Sequence, residues 1–348
     1  MEPLSLADAQ ALWNPTGTYL NTASYGLAPT PAWDALQAAL ADWRGGTTSW
    51  EHWGIPAEDA RASFARLVDV PVETVAIASN VSTFVGFVAA SVPDGSRVLA
   101  PDVEFTSLLF PFLVQEHRGV TVRLVPASEL ASEIGPDVDI VAFSAVQMAT
   151  GEVADLDGIV AAAHEHGVLT VVDATQAVGW LPVDASRLDV VAAHAYKWMM
   201  CPRGTAFMSI RSERMAGVVP HAAGWYAGED PLQTFFGPPL RLATSARRFD
   251  TSPAWFMWVA TAAALEVIEQ VGVEAIHAHD VGLANRFRAG LGLEASDSAI
   301  VFCDIEDAAD KLERAGIRAA VRAGRLRTSW HLYNTEADVE RTLDVLSG

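Results

Sequence analysis

Lys197 sits in Val190-Val191-Ala192-Ala193-His194-Ala195-Tyr196-Lys197-Trp198-Met199-Met200, a largely apolar run. A charged amine there is costly unless it is neutralised, paired or used covalently. It is also a rare residue: the chain carries 21 arginines and only two lysines, Lys197 and Lys311. Arginine stays protonated, so a lysine retained among so many arginines points to a need for an amine that can lose its proton. Lys311 lies in the polar helical pattern Glu306–Arg314 and is expected in solvent.

Three further clusters stand, like Lys197, just after apolar β-type runs. Ser79-Asn80-Val81-Ser82-Thr83 offers hydroxyls and free backbone N–H groups at a helix start, which suits a phosphate and equally suits a plain helix cap. In Asp102-Val103-Glu104-Phe105-Thr106-Ser107, Phe105 could stack on a flat ring or fill a core. Asp173-Ala174-Thr175-Gln176 places a carboxylate where it could hold a ring nitrogen protonated, and it also fits a capping box. The order cradle, aromatic, acid, lysine, each at a strand end, is what a pyridoxal-phosphate site requires. Burial would shift such a lysine toward its neutral, nucleophilic form.

The elements that must position these groups read as an α/β alternation. Strands are expected at Thr74–Ala78, Arg97–Ala100, Thr121–Pro126, Asp139–Phe143, Leu169–Val172, Val190–Ala193 and Thr205–Ile210, with helices at Phe84–Ser91, Ser107–Arg118 and Leu156–His166. That pattern implies a mostly parallel sheet covered on both faces, with ligands beyond the carboxyl ends of its strands. Residues 217–253 lose periodicity and read as an ordered loop region. Helices Ala254–Val271 and Val273–Leu291 follow, then strand Ala299–Ile305, helix Ala308–Ala315, strand Arg325–His331 and helix Glu336–Leu346. The expected division is a large cofactor domain over 16–253 and a small α+β domain over 254–348, with 1–15 packing on the latter.

Composition narrows the partners. The 43 acidic against 23 basic residues give a net charge of −20, which works against nucleic-acid phosphates and anionic lipid. The start lacks the basic and apolar regions of a signal peptide, and no apolar stretch approaches a membrane span, so a cytoplasmic protein is expected. Cys201 and Cys303 have no metal-ligand spacing and read as reduced core thiols, and no metal site is expected. Neither Gly-x-Gly-x-x-Gly nor a Walker-type Gly-Lys-Ser/Thr occurs, which counts against nucleotide binding.

At these residues the sequence resembles the class V aminotransferase family, of fold type I among pyridoxal-phosphate enzymes, whose members include cysteine desulfurases, kynureninase, isopenicillin N epimerase and the ergothioneine C–S lyase. The likeness runs from Tyr19-Leu20-Asn21-Thr22-Ala23-Ser24-Tyr25-Gly26 through Asp173, Gln176 and Tyr196-Lys197 to Arg327-Thr328-Ser329-Trp330-His331-Leu332-Tyr333-Asn334-Thr335. It implies a Schiff base on Lys197, Asp173 on the pyridine nitrogen and Gln176 on the phenolic oxygen. Phe105 would stack on the ring where many members place histidine. Ser82, Thr83, His194 and Tyr196 would hold the phosphate. Thr251, in Arg247-Arg248-Phe249-Asp250-Thr251-Ser252, would reach the phosphate of a neighbouring protomer, so a homodimer with shared sites is implied. Arg327 would clamp the substrate α-carboxylate, with Asn21 orienting it.

The resemblance implies an enzyme acting on an amino acid, by an aminotransferase-type reaction in the broadest expectation. C–S β-elimination and epimerisation use the same residues and stay open, as does a catalytically idle scaffold. The cysteine-bearing loop of a desulfurase is missing. The aromatic segments Trp50-Glu51-His52-Trp53 and Trp225-Tyr226 are read as loops that could line a pocket for a bulky substrate or simply pack domains. His52 is a possible proton donor, and Arg241, Arg247 and Arg248 could bind a second carboxylate.

Overall fold

The computed structural model describes residues 3–322 and 324–347. The reading of the chain start rests partly on Met1 and Glu2, which lie outside them. Seven strands form the central sheet: β1 (Val75–Ala78), β2 (Arg97–Pro101), β3 (Thr121–Val125), β4 (Ile140–Ser144), β5 (Leu169–Asp173), β6 (Val190–His194) and β7 (Ala206–Ile210). Their spatial order is β1-β7-β6-β5-β4-β2-β3; β7 runs antiparallel to both neighbours and the other pairs are parallel. All seven expected strands are present, with ends moved by a residue at most.

The Val/Ile/Ala runs form strands because both faces are buried, so each side-chain direction needs an apolar residue. The period of two is visible along β4 and β5. Val141, Phe143 and Val172 join one core with Phe64 and Ile159, while Ile140, Ala142 and Val171 join the opposite core with Phe84 and Leu108. Edge strand β3 is mostly exposed, as one covered face requires. Helices α1 (Thr30–Gly45), α2 (Trp50–Leu67), α3 (Val81–Ser91), α4 (Thr106–Leu113), α5 (Leu156–His166), α6 (Trp255–Val271) and α7 (Val273–Gly290) complete these layers.

Two expectations are corrected. Trp50-Glu51-His52-Trp53 is not a loop but the first turn of α2, despite Gly54 and Pro56 inside that helix. Packing overrides those breakers: Trp50 stacks on Trp255 at 5.5 Å and Trp53 meets Phe256 edge-on at 4.9 Å, both on α6. The helix expected over Ser107–Arg118 ends at Leu113, and a separate 3-10 turn covers Glu116–Arg118. Residues 217–253 are irregular, with 3-10 turns at Trp225–Ala227, Pro231–Gln233 and Ala246–Phe249.

Beyond α7 the chain forms a small antiparallel sheet of β8 (Ile300–Cys303), β9 (Ala320–Arg322) and β10 (Arg325–Ser329), in the order β9-β10-β8. Helices α8 (Ala308–Arg314) and α9 (Glu336–Ser347) cover it around Phe287, Leu312, Leu326 and Trp330. Thr18–Tyr19 pairs in parallel with Ile317–Arg318, and Asn21 bridges Ser329, so the N-terminal segment runs beside this sheet on its way to the lysine. Among the described residues no single helix is long and apolar enough to cross a membrane.

Candidate active site

Strands β5 and β6 are neighbours, with Asp173 opposite Ala192, so their carboxyl ends deliver Asp173 and the Lys197 loop side by side. Met200 N–H closes that loop onto the Lys197 carbonyl at 3.0 Å. Gly26 presses against it from the N-terminal segment, its N–H on the Tyr196 carbonyl at 2.9 Å. A Cβ at Gly26 would lie 2.1 Å from the Lys197 carbonyl oxygen, so only glycine permits this approach. That contact holds residues 19–26 over the lysine.

Lys197 is 6% exposed, and no hydrogen-bond partner for its amine is found among the described residues. Its Nζ lies 5.8 Å from the ring centres of both Phe105 and Tyr196. Burial lowers its pKa to about 8, against the attraction of Asp173 and with help from Arg327, Arg203 and Arg322. Burial also raises the Asp173 carboxyl, which Thr175 and Lys197 partly offset. Asp173 accepts the Thr175 N–H on Oδ1 at 2.8 Å, a local turn rather than the capping box that Gln176 would close. Gln176 is fixed instead by Trp198, whose indole N–H donates to Oε1 at 2.8 Å, and by the Ala23 carbonyl, which accepts from Nε2 at 3.0 Å. One amide hydrogen of Gln176 remains free.

At the α3 start, Asn80 is the cap: its Oδ1 accepts from Thr83 N–H, Thr83 Oγ1 and Ser82 Oγ at 2.8–2.9 Å. The plain-cap reading therefore describes the local bonding, and α3 begins three residues before Phe84, the expected start. His194 Nε2 accepts the Val81 N–H at 3.3 Å. Burial lowers this imidazole to about 4, so it is neutral, and the accepting Nε2 leaves the proton on Nδ1, which is buried without a partner. Tyr196 packs on His194 at 5.0 Å and under the Arg203 guanidinium at 4.9 Å.

Phe105 keeps 39% of its surface exposed at the site. The sequence did not mark what holds it. Glu104, buried beside it, accepts from the Phe105 N–H (2.7 Å), the Ser144 N–H (2.8 Å) and hydroxyl (2.5 Å), and Gln147 Nε2 (2.9 Å). Glu104 thus ties the ends of β2 and β4 together.

Arg327, on β10, is 1% exposed; its Nη2 donates to Ser24 Oγ at 2.7 Å and to Asn21 Oδ1 at 3.3 Å. Its Nε and Nη1 are buried without partners, and burial plus Arg322 lowers it to about 10. Thr251 stands apart, its N–H on the Ile77 carbonyl at 3.2 Å beside β1.

Other expected participants are engaged elsewhere. Arg247 pairs with Glu58 at 2.5 Å, and His52 Nδ1 meets Thr48 Oγ1 at 2.9 Å on an exposed surface. Arg241 bonds the carbonyls of Pro239 and Phe236. Trp50 and Trp225 pack on each other and on Phe235. A surface cavity of about 580 Å³, lined by Asp139, Leu169 and Val190 among others, lies at the opposite ends of the strands, far from the lysine.

The sequence profile described as aminotransferase class-V matches residues 18–308. The chain belongs to the class V aminotransferase family. It is 26% identical to an uncharacterized aminotransferase YcbU of Bacillus subtilis (strain 168), over 86% of this chain and 85% of that one. It is 27% identical to isopenicillin N epimerase of Streptomyces clavuligerus, over 98% and 96%. Among solved structures, a complex of the cystine C-S lyase C-DES with cysteine persulfide superposes with a TM-score of 0.87 at 24% identity, covering 95% of this chain and 97% of that one. The cysteine desulfurase CsdA of Escherichia coli gives 0.84 at 21%, covering 99% and 98%. These likenesses establish fold type I.

Class V aminotransferases are pyridoxal-phosphate enzymes, and pyridoxal phosphate is this chain's cofactor. The site fits it: an unbonded buried amine, an adjacent buried acid with one oxygen engaged, a stacking face on Phe105 and an unused donor on His194 share one strand-end cluster.

Proposed function

We propose that this protein is an aminotransferase-type enzyme that binds its cofactor covalently through Lys197 and processes an amino-acid substrate held by Arg327. The observation that carries the reading is the buried Lys197 amine, free of hydrogen-bond partners and set beside Asp173. Bound pyridoxal phosphate supplies an aldehyde for amines and an electron-withdrawing ring that loosens the bonds at the substrate Cα.

The chain's own groups do the rest. Asp173 keeps the pyridine nitrogen protonated, and burial confines its charge to that partner. Gln176 turns its remaining amide hydrogen toward the phenolic oxygen. Phe105 covers the ring, while Ser82, Thr83, His194 (through Nδ1–H) and Tyr196 surround the phosphate. Arg327 has Nε and Nη1 left as donors for the α-carboxylate; they lie on opposite sides of the guanidinium, so a two-point clamp would pair one of them with Nη2, drawn from Ser24 or Asn21. Lys197, whose free amine burial brings to about 8, would take the substrate's α-proton on Nζ and pass it to the cofactor's aldehyde-derived carbon, which is what turns the amino acid into a keto acid. His194 is neutral and Phe105 has no proton to give, so a one-base reaction is favoured. Both cysteines are buried with raised thiol pKa values, which does not support transfer of sulfur through a protein thiol.

We assign the protein to the cytoplasm and to a homodimer in which Thr251 completes the partner's phosphate site; Phe236 and Leu240, 88% and 81% exposed, leave apolar surface for a second copy. Sedimentation at micromolar concentration checks this. We propose the division at residue 253/254 as one along the chain, α6 packing back on α2 of the first unit, with the first residues docking on the second unit, as the Gln10 Nε2 bond to the Asn334 carbonyl at 2.9 Å supports.

The test is a panel of amino acids and S-substituted cysteines followed for keto acid, pyruvate with ammonia, and α-hydrogen exchange. Keto acid formed only with an amino acceptor is expected. Pyruvate and ammonia without an acceptor would replace transamination by C–S elimination, and exchange with inversion alone would replace it by epimerisation.

A further inference from the structure

His331 and Asp280 form a wholly buried pair that the chemistry above leaves unused; both are 0% exposed. Asp280 comes from α7 and His331 from the segment after β10. Asp280 Oδ2 lies 2.6 Å from His331 Nδ1, and His331 Nε2 lies 2.9 Å from the Trp198 carbonyl oxygen. Trp198 follows Lys197 directly. Carbonyl and carboxylate oxygens are both acceptors, so the Nε2 bond needs a ring hydrogen and the Nδ1 bond needs the proton shared with Asp280. The imidazole is therefore locked at both ends, and no tautomer leaves the Trp198 carbonyl satisfied without it.

The rest of the surroundings hold the ring in one orientation. The His331 N–H donates to Asn334 Oδ1 at 3.0 Å, and Asn334 Nδ2 donates to the Tyr19 carbonyl at 2.9 Å. Trp198 and Tyr333 pack edge-on against the imidazole at 5.2 and 5.6 Å. The other titratable groups acting on Asp280 are His277 and His279 of α7, and His279 Nε2 meets the Asn334 carbonyl at 3.1 Å.

We infer that His331, braced by Asp280, is a positioning residue that fixes the Trp198–Met199 peptide, one residue beyond Lys197, and thereby the direction of the lysine amine and of Gln176. The coupling to Gln176 runs through the same residue, since the Trp198 indole donates to Gln176 Oε1. Removing Nε2 leaves a buried carbonyl unsatisfied, and the loop must turn to find a new donor. The C-terminal unit then controls the lysine through one hydrogen-bond chain: Asp280, His331, the Trp198–Met199 peptide. The inference rests on the assignment of Lys197 to the cofactor.

The two lysines make the experiment internally controlled. Apoprotein is treated with pyridoxal phosphate and borohydride across pH 6–10, and the label on Lys197 and on Lys311 is measured by peptide mass spectrometry. The variants are His331→Ala, Asp280→Asn (isosteric, to keep a folded comparison) and Val339→Ala, which removes a buried apolar contact in the same unit without touching the chain. For His331→Ala the Lys197 labelling rate is expected to fall by at least about tenfold with a displaced pH midpoint. Asp280→Asn should show the same displacement in weaker form, and Lys311 labelling should stay unchanged. Val339→Ala should lower thermal stability yet keep the wild-type midpoint. Wild-type rate and midpoint in His331→Ala and Asp280→Asn, or an equal displacement in Val339→Ala, overturns the inference while leaving the proposed function intact. Absence of Lys197 labelling in the wild type sinks both.

Discussion

Two of the buried charge clusters in this molecule are built to opposite rules. Beneath β1, Arg61 donates to Asp250 at 2.7 and 3.1 Å, to the Val75 carbonyl at 2.8 Å and to Glu58 at 3.1 and 3.2 Å. Arg247 joins Glu58, and Asp250 also accepts the Ile77 N–H at 2.8 Å. Each charge has an opposite partner in contact: burial raises the Asp250 carboxyl, which Arg61 partly offsets, while Arg61 itself is pushed upward in pKa by Asp250 and Glu58 in spite of burial. At the strand ends, no hydrogen-bond partner of Lys197 is found among the described residues, and Arg327 has two unused donors and His194 one. There burial wins, and Lys197, Arg327 and His194 all shift toward their neutral forms. A satisfied cluster holds elements together; several unsatisfied donors gathered at strand ends, as here, mark the proposed ligand site.

The sharpest way to break that contrast is at Lys197. Lys197→Ala is expected to lose several orders of magnitude in turnover and all borohydride-fixed cofactor, with the fold retained by circular dichroism. Cofactor fixed elsewhere with full turnover would show that the unsatisfied cluster is not the active site. Next in size is Arg61→Ala, which strands Asp250 without its main partner. It should cost roughly 3–5 kcal/mol in urea unfolding while Lys197 labelling in the folded protein keeps its pH midpoint. A smaller effect is expected from Arg327→Lys, which keeps a charge but loses the fork. A KM increase of about tenfold to a hundredfold with a lesser change in kcat is expected from steady-state kinetics on the substrate that the panel identifies.

What was legible in the sequence follows from the same contrast. The strands could be read because a sheet buried on both faces needs uninterrupted runs such as Val75–Ala78 and Ile140–Ser144. Lys197 could be read because an amine in an apolar run is an anomaly within a single segment. Relations between distant segments could not. Arg61 and Asp250 are 189 residues apart, His331 and Asp280 51 apart, and each looks like a surface or cap residue until packing brings its partner. Glu104 was passed over because its role depends on Ser144 and Gln147 on another strand end. The first turn of α2 was hidden by Gly54 and Pro56, whose local preference lost to the aromatic contact with α6.

The pH dependence of stability is the most direct measure of how dry the lysine is. In the unfolded chain Lys197 titrates near the ordinary lysine value of 10.5, and in the folded apoprotein near 8. Below pH 8 both states hold the proton and the fold bears the whole cost of burying it. Between pH 8 and 10.5 the unfolded state still binds a proton that the folded state has released, so stability rises with pH across that window. Lys197→Met lacks the group and serves as the baseline. The stability of wild-type apoprotein relative to that variant should therefore climb by on the order of 3 kcal/mol between pH 7 and 10.5, read from urea midpoints at each pH. Cofactor joined to the amine removes the free titration, so the holoenzyme should show no such climb. A flat difference in the apoprotein would mean that water reaches the amine, and the lysine would then belong with ordinary surface charge.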